Sequence, residues 1–176
     1  MKTYVYIGPH DLADVVKPGH RGRAVERGAD VVAWATDPHV ERERSGTFAA
    51  TYVVDAEGRL RIANRRSEHV ACAGGGEVLC AGLMWFRVDG DSVEVEEVDN
   101  LSSGYCPESS AWPAVAAALD AASIERPGCF TTAYEFRRCE ACGQRNVVKH
   151  GVFECMACGA ALPEAWNFGD DTEATP

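Results

Sequence analysis

Four cysteines carry the strongest chemical signal in this chain. They stand as Cys139-Glu-Ala-Cys142-Gly and Cys155-Met-Ala-Cys158-Gly, separated by the twelve residues 143–154. Two residues between cysteines let both thiolates turn toward one point, and Gly143 and Gly159 let the backbone curl beneath them. Four thiolates close a tetrahedral shell and leave no position for water. The expectation is therefore one structural zinc ion held by Cys139, Cys142, Cys155 and Cys158 in a C-terminal zinc ribbon. Iron in four thiolates, or two redox Cys-x-x-Cys pairs, are the competing readings of the same spacing.

A second group of reactive residues lies in two loops. The first, Arg65-Arg-Ser-Glu-His-Val-Ala-Cys-Ala-Gly-Gly-Gly76, carries Arg66, His69, Cys72, Gly74 and Gly75. The second, Asn100-Leu-Ser-Ser-Gly-Tyr-Cys-Pro-Glu108, carries Asn100, Ser103, Tyr105 and Cys106. The first precedes one arm of a hairpin and the second follows the other arm, so both fall at the same end of an antiparallel pair. As a pocket, His69 is a general base, Cys106 or Cys72 a nucleophile and Tyr105 a further catalytic group. Arg65 and Arg66 would hold a carboxylate or phosphate, and Gly74 and Gly75 would bring backbone amides to an anion. The alternative is structural: His69 hydrogen-bonded in a core, the glycines in a tight turn, Tyr105 anchoring a loop. No complete catalytic signature decides between them.

The elements that must position these residues follow from pattern. Thr3 to Ile7 alternates as a strand, and Asp11 to Val16 reads as a short helix stopped by Pro18-Gly19. Gly19 to Arg23 is a Gly/Arg-rich loop, and Glu26 to Ala35 places Val31, Val32 and Trp34 on one helical face. Residues 48–55 and 58–63 form a hairpin turning at Gly58, with Leu60 and Ile62 inward and Arg59 and Arg61 in water. A second hairpin, 77–88 with 92–98, turns at Asp89-Gly90-Asp91. Ser109-Ser110 would cap a helix through Trp112, Val115, Ala118, Leu119 and Ala122. Residues 130–136 read as a strand entering the ribbon, and Trp166 as packing the ribbon on the main domain. The expected fold is α+β: an antiparallel hairpin-rich main domain (1–127) with flanking helices, the zinc ribbon (128–168), and a disordered acidic tail (169–176).

The pattern His69-x-x-x-x-Gly74-Gly75, the Ala81-Gly82 step and Asn100-x-x-Ser103-Gly104-x-x-Pro107 resembles a motif pair in plant calmodulin-binding IQ-motif proteins and bacterial toxin-like proteins. The likeness covers residues 48–110, and the ribbon with its Trp166-Asn167-Phe168 ending looks like an uncharacterised bacterial zinc-ribbon family. The resemblance implies a shared β-rich module and pocket. The related motif reads Ser-Gly-His-Tyr-x-Pro, where this chain has Ser103-Gly104-Tyr105-Cys106-Pro107. The basic amphipathic helix that calmodulin binds is absent, so that partner is not implied.

Composition narrows the function classes. The 176 residues carry a net charge of −10, which disfavours nucleic acid as a partner. No run of apolar residues is long enough for a membrane, and the first residues do not read as a signal peptide, so the expected setting is cytoplasmic. The reading that results is a zinc-stabilised binding or accessory module. It would contact a protein partner or small ligand through the loops around His69 and Tyr105. The alternative is an enzyme using His69 with Cys106 or Tyr105 on an acyl or nucleotide-like substrate.

Overall fold

The computed structural model describes residues 1–14, 16–17 and 19–169. Val15, Pro18 and the acidic tail from Asp170 onward lie outside the described residues. The chain divides into two compact units, Met1–Ala133 and a second beginning at Tyr134. The first is α+β, with a five-stranded antiparallel sheet and a few short helices.

The sheet runs in the order β1-β3-β2-β4-β5, with β1 Arg23–Val25, β2 Phe48–Asp55, β3 Leu60–Asn64, β4 Val78–Asp89 and β5 Ser92–Val98. Both hairpins form where alternation and turn residues place them. Gly58 and Gly90 take the positive φ values (82° and 58°) that their turns require. Opposed residues share a face, which groups Tyr52 with Ile62 and Gly82, and Thr51 with Ala63 and Leu83. Met84 and Phe86 extend the Tyr52 face. There Trp34, on α2 (Gly28–Ala35), meets Phe86 edge-on with ring centroids 6.3 Å apart. Helix α2 starts where the Asp30 carboxylate accepts the Glu26 and Arg27 amides at 3.0 and 3.1 Å.

The opposite face departs from the sequence reading. A five-residue helix, α3 (His69–Ala73), stands within the segment expected to be loop, because so short a helix shows no readable period. It stops at Gly74, whose φ is 69°, and the Gly75 amide closes the end on the Val70 carbonyl at 2.9 Å. Helix α3 packs on β2 and β3. Thr51 Oγ1 bonds the carbonyls of Arg65 (3.2 Å) and Ser67 (3.1 Å) just before it. This layer overturns the expectation that Arg61 faces water. Arg61 is only 7% exposed, and its Nε donates to Asp55 at 2.8 Å while Nη1 reaches the Gly22 carbonyl at 3.3 Å.

Smaller differences have local causes. The strand expected at residues 3–7 is one bridge, with Tyr4 and Val78 exchanging amide bonds of 2.7 and 3.0 Å. Helix α1 spans His10–Asp14, and β1 replaces the end of the expected Gly/Arg loop as a three-residue edge strand. Ser109 and Ser110 do not cap by side chain. They form a 3-10 turn that satisfies the Ala111 amide on the Glu108 carbonyl (3.0 Å) and feeds α4, Trp112–Ala121, with Pro113 in its first turn.

In the second unit, β6 (Glu135–Arg138) pairs with β7 (Arg145–Val148), so the strand expected from residue 130 begins at Glu135. The segment ending at Phe168 is tied back to β6. Arg137 donates to the Glu164 carbonyl from Nη2 at 2.6 Å, and Asn167 exchanges 2.8 Å bonds with the Arg138 backbone. Trp166 packs against Phe168 within this unit, with centroids 5.5 Å apart and the rings tilted by 59°.

The Asp55 carboxyl lies below its ordinary 3.8. Burial pushes it up, but the Arg59 amide and the Arg61 and Arg59 guanidinium groups outweigh that. A depressed folded-state value stabilises the fold fully above the unfolded value, and the contribution fades as pH falls through the folded one. Asp55→Asn leaves Arg61 buried without its counter-charge. Denaturant unfolding at pH 7 should show a loss of about 3 kcal/mol and a flatter stability profile below about pH 4. Native-like stability in the variant would contradict the buried pair.

Candidate metal centre

The second unit is organised around its cysteines. Each Cys-x-x-Cys-Gly segment makes the same two bonds. The amides of Gly143 and Gly159 return to the carbonyls of Cys139 and Cys155, both at 2.8 Å. The Cys139 and Cys155 amides reach the carbonyls of Gln144 (2.9 Å) and Ala160 (2.8 Å). Both glycines are left-handed, at φ 73° and 72°, which the turn demands and a side chain would oppose. The repeated turn aims all four thiols at one point.

The four sulfurs lie within 4.8 Å of one another. Contacts of 3.6 Å run between the segments, Cys139 to Cys158 and Cys142 to Cys155. A regular tetrahedron of ~2.3 Å metal–sulfur bonds spaces its sulfurs by roughly 3.8 Å, so the observed set fits one tetrahedral ion. Cys139 and Cys155 are buried beside Leu162, with Val148, Phe153 and Ala160 around them, while Cys142 and Cys158 are exposed. The ion site thus has an apolar floor and an open rim.

One residue that spacing could not reveal supports the site. Asn146, on β7 and 5% exposed, directs its Nδ2 at Cys155 Sγ (3.6 Å) and the Gln144 carbonyl (2.8 Å). Its Oδ1 accepts the Met156 amide at 3.0 Å, so one side chain ties the two cysteine segments together. Burial pushes the Cys155 thiol up, but the Ala157 and Cys158 amides, the Cys142 thiol and Asn146 bring it down to about 6. The Gln144 amide draws Cys142 down. Bonds to the other three sulfurs and burial outweigh it and raise Cys142 to about 12.

The first unit brings its two loops together at one point, where the Tyr105 hydroxyl donates to the Gly76 carbonyl at 2.8 Å. His69 is directed elsewhere, with Nε2 on the Gly82 carbonyl at 3.0 Å. Burial lowers its pKa and that carbonyl bond partly offsets the effect. Cys106 is fully buried, left-handed at φ 47°, and its Sγ points to the Ser103 carbonyl at 3.5 Å. Asn100 donates to the Pro107 carbonyl at 2.9 Å and shapes the same loop, while Ser103 is exposed. Burial drives Tyr105 upward, with Tyr6 and Cys72 adding to it, and drives Cys72 to about 12 against the pull of Arg61. Arg66 is exposed and 3.8 Å from Glu41; Arg65 pairs with Glu43. Gly74 and Gly75 end α3.

No family model, curated protein or solved structure matches this chain. No helix among the described residues is long and apolar enough to cross a membrane.

Asn146→Ala removes the bond to Cys155 Sγ and leaves the Met156 amide without its acceptor. Competition with a chromophoric chelator should show metal affinity falling about 10- to 100-fold. An unchanged affinity would mean that Asn146 only fills space.

Proposed function

We propose that this protein is a binding module stabilised by a structural zinc ion. The second unit is a zinc ribbon, and the first contacts a protein partner or small ligand on the side that carries the His69 and Tyr105 loops. The observation that carries the reading is the convergence of four sulfurs at tetrahedral spacing. Contacts that cross between the two Cys-x-x-Cys segments fit one shared ion better than two independent redox pairs. A shell of four thiolates offers no position for a water or substrate, so the ion holds the fold and activates nothing.

The same geometry speaks against the enzyme alternative. A general base and a nucleophile need each other, or one intervening water, within hydrogen-bond reach. His69, Tyr105 and Cys106 each have a polar atom directed at a main-chain carbonyl, and Tyr105 and Cys106 are buried. These residues set loop shape. The net charge of −10 argues against nucleic acid, and the buried thiols Cys72, Cys80 and Cys106 suit a reducing cytoplasm.

Thiol counting tests the proposal. In the zinc-loaded native chain only Cys129 is both exposed and outside the cluster, so an aromatic disulfide reagent should titrate one thiol rapidly. A strong chelator should raise the rapid count to five as the second unit loses its shape. The first unit should keep its far-ultraviolet circular dichroism. Five rapid thiols without chelator, or a count that chelator does not change, would defeat the structural-ion reading.

A further inference from the structure

A cavity of about 260 Å³ opens on the α3 side of the first unit. Its lining includes Lys17, His20 and Arg21, all exposed, and no acidic residue among the described residues. Val16 and Ala71 line its apolar part, and the buried Cys72 is also in its wall. Among the described residues none of the side chains of Lys17, His20 and Arg21 forms an ion pair. In a chain with net charge −10, Lys17 and Arg21 on one cavity concentrate positive charge locally.

The backbone holds this lining in place. The Gly22 amide donates to the Cys72 carbonyl at 2.8 Å. A Cβ on Gly22 would stand 2.5 Å from Cys72 Sγ, so only glycine lets the segment lie this close to α3. Gly74 does the same at the helix end, where a Cβ would come within 3.1 Å of Arg21 Cβ. The glycine that the sequence suggested as an anion cradle instead seats the basic segment.

We propose that this cavity binds a small organic phosphate ester, with the phosphoryl group at Lys17, His20 and Arg21 and the carbon skeleton along Val16 and Ala71. Three nitrogen donors suit the charge and three free oxygens of a phosphate dianion better than a single carboxylate. The volume lies just below the ~300 Å³ at which pockets for drug-sized ligands begin, which limits the ligand to something smaller than a nucleotide. This assignment rests on the binding-module reading and names its ligand class.

Calorimetric titration of the full zinc-loaded chain at low salt provides the test. Glycerol 3-phosphate is the probe, inorganic phosphate and succinate the comparisons. The ester should bind saturably with a Kd below about 1 mM. The double variant Lys17→Ala/Arg21→Ala, altered only at exposed positions, should keep its melting temperature and weaken binding about tenfold or more. Ala71→Leu should weaken the ester and spare inorganic phosphate. No saturable binding, binding unchanged in the double variant, or succinate binding as tightly as the ester would overturn the proposal. Release of inorganic phosphate from the ester, abolished in the double variant, would support the site and defeat the non-enzymatic reading instead.

Discussion

Four sulfurs crowded within 4.8 Å cannot all be thiolates unless a cation lies among them. Two unit charges about 4 Å apart repel by roughly 4 kcal/mol at an effective dielectric of 20, and a tetrahedral set contains several such pairs. Cys155 is drawn down by amides and Asn146, while Cys142 and Cys158 are raised by their neighbours. A divalent ion reverses the sign of every one of these interactions. The two glycine turns, the apolar floor at Leu162 and the bridging Asn146 have the geometry that places the thiols for that reversal. An ion bound there would add its binding energy to the folding of so small a unit.

The first unit is built on the opposite economy. It has a two-sided core, and several of its buried polar groups are matched within the chain, with Ser102 Oγ the exception among the described residues. Tyr52, fully buried on one face, donates to the Asp99 carbonyl at 2.7 Å, and the Asp99 carboxylate accepts the Leu83 and Leu101 amides at 2.8 and 2.9 Å. Asp55 and Arg61 neutralise one another on the other face. His69, Tyr105 and Cys106 each direct a polar atom at a main-chain carbonyl. Lys17 and Arg21 at the α3 cavity have no such partner among the described residues.

What the sequence made legible follows from how local each signal is. The cysteine cluster was readable because ligand type and spacing are both local, and the two hairpins because alternation and Gly58 and Gly90 turns are local. Asn146 was not, since its role depends on a fold that brings β7 against the second cysteine segment. Arg61 was misread because alternation says which face a residue takes, not whether a helix later covers that face. Helix α3 was missed because five residues carry no period, although Gly74 and Gly75 were visible as its natural stop. The basic lining was visible only as a Gly/Arg-rich stretch, and nothing local tied it to Cys72.

X-ray absorption at the zinc edge of the purified chain measures the decisive geometry directly. The account predicts one zinc per chain with four sulfur neighbours at about 2.3 Å and no light-atom ligand. A first shell containing nitrogen or oxygen, or protein that is folded through residues 135–168 with no metal bound, would contradict it.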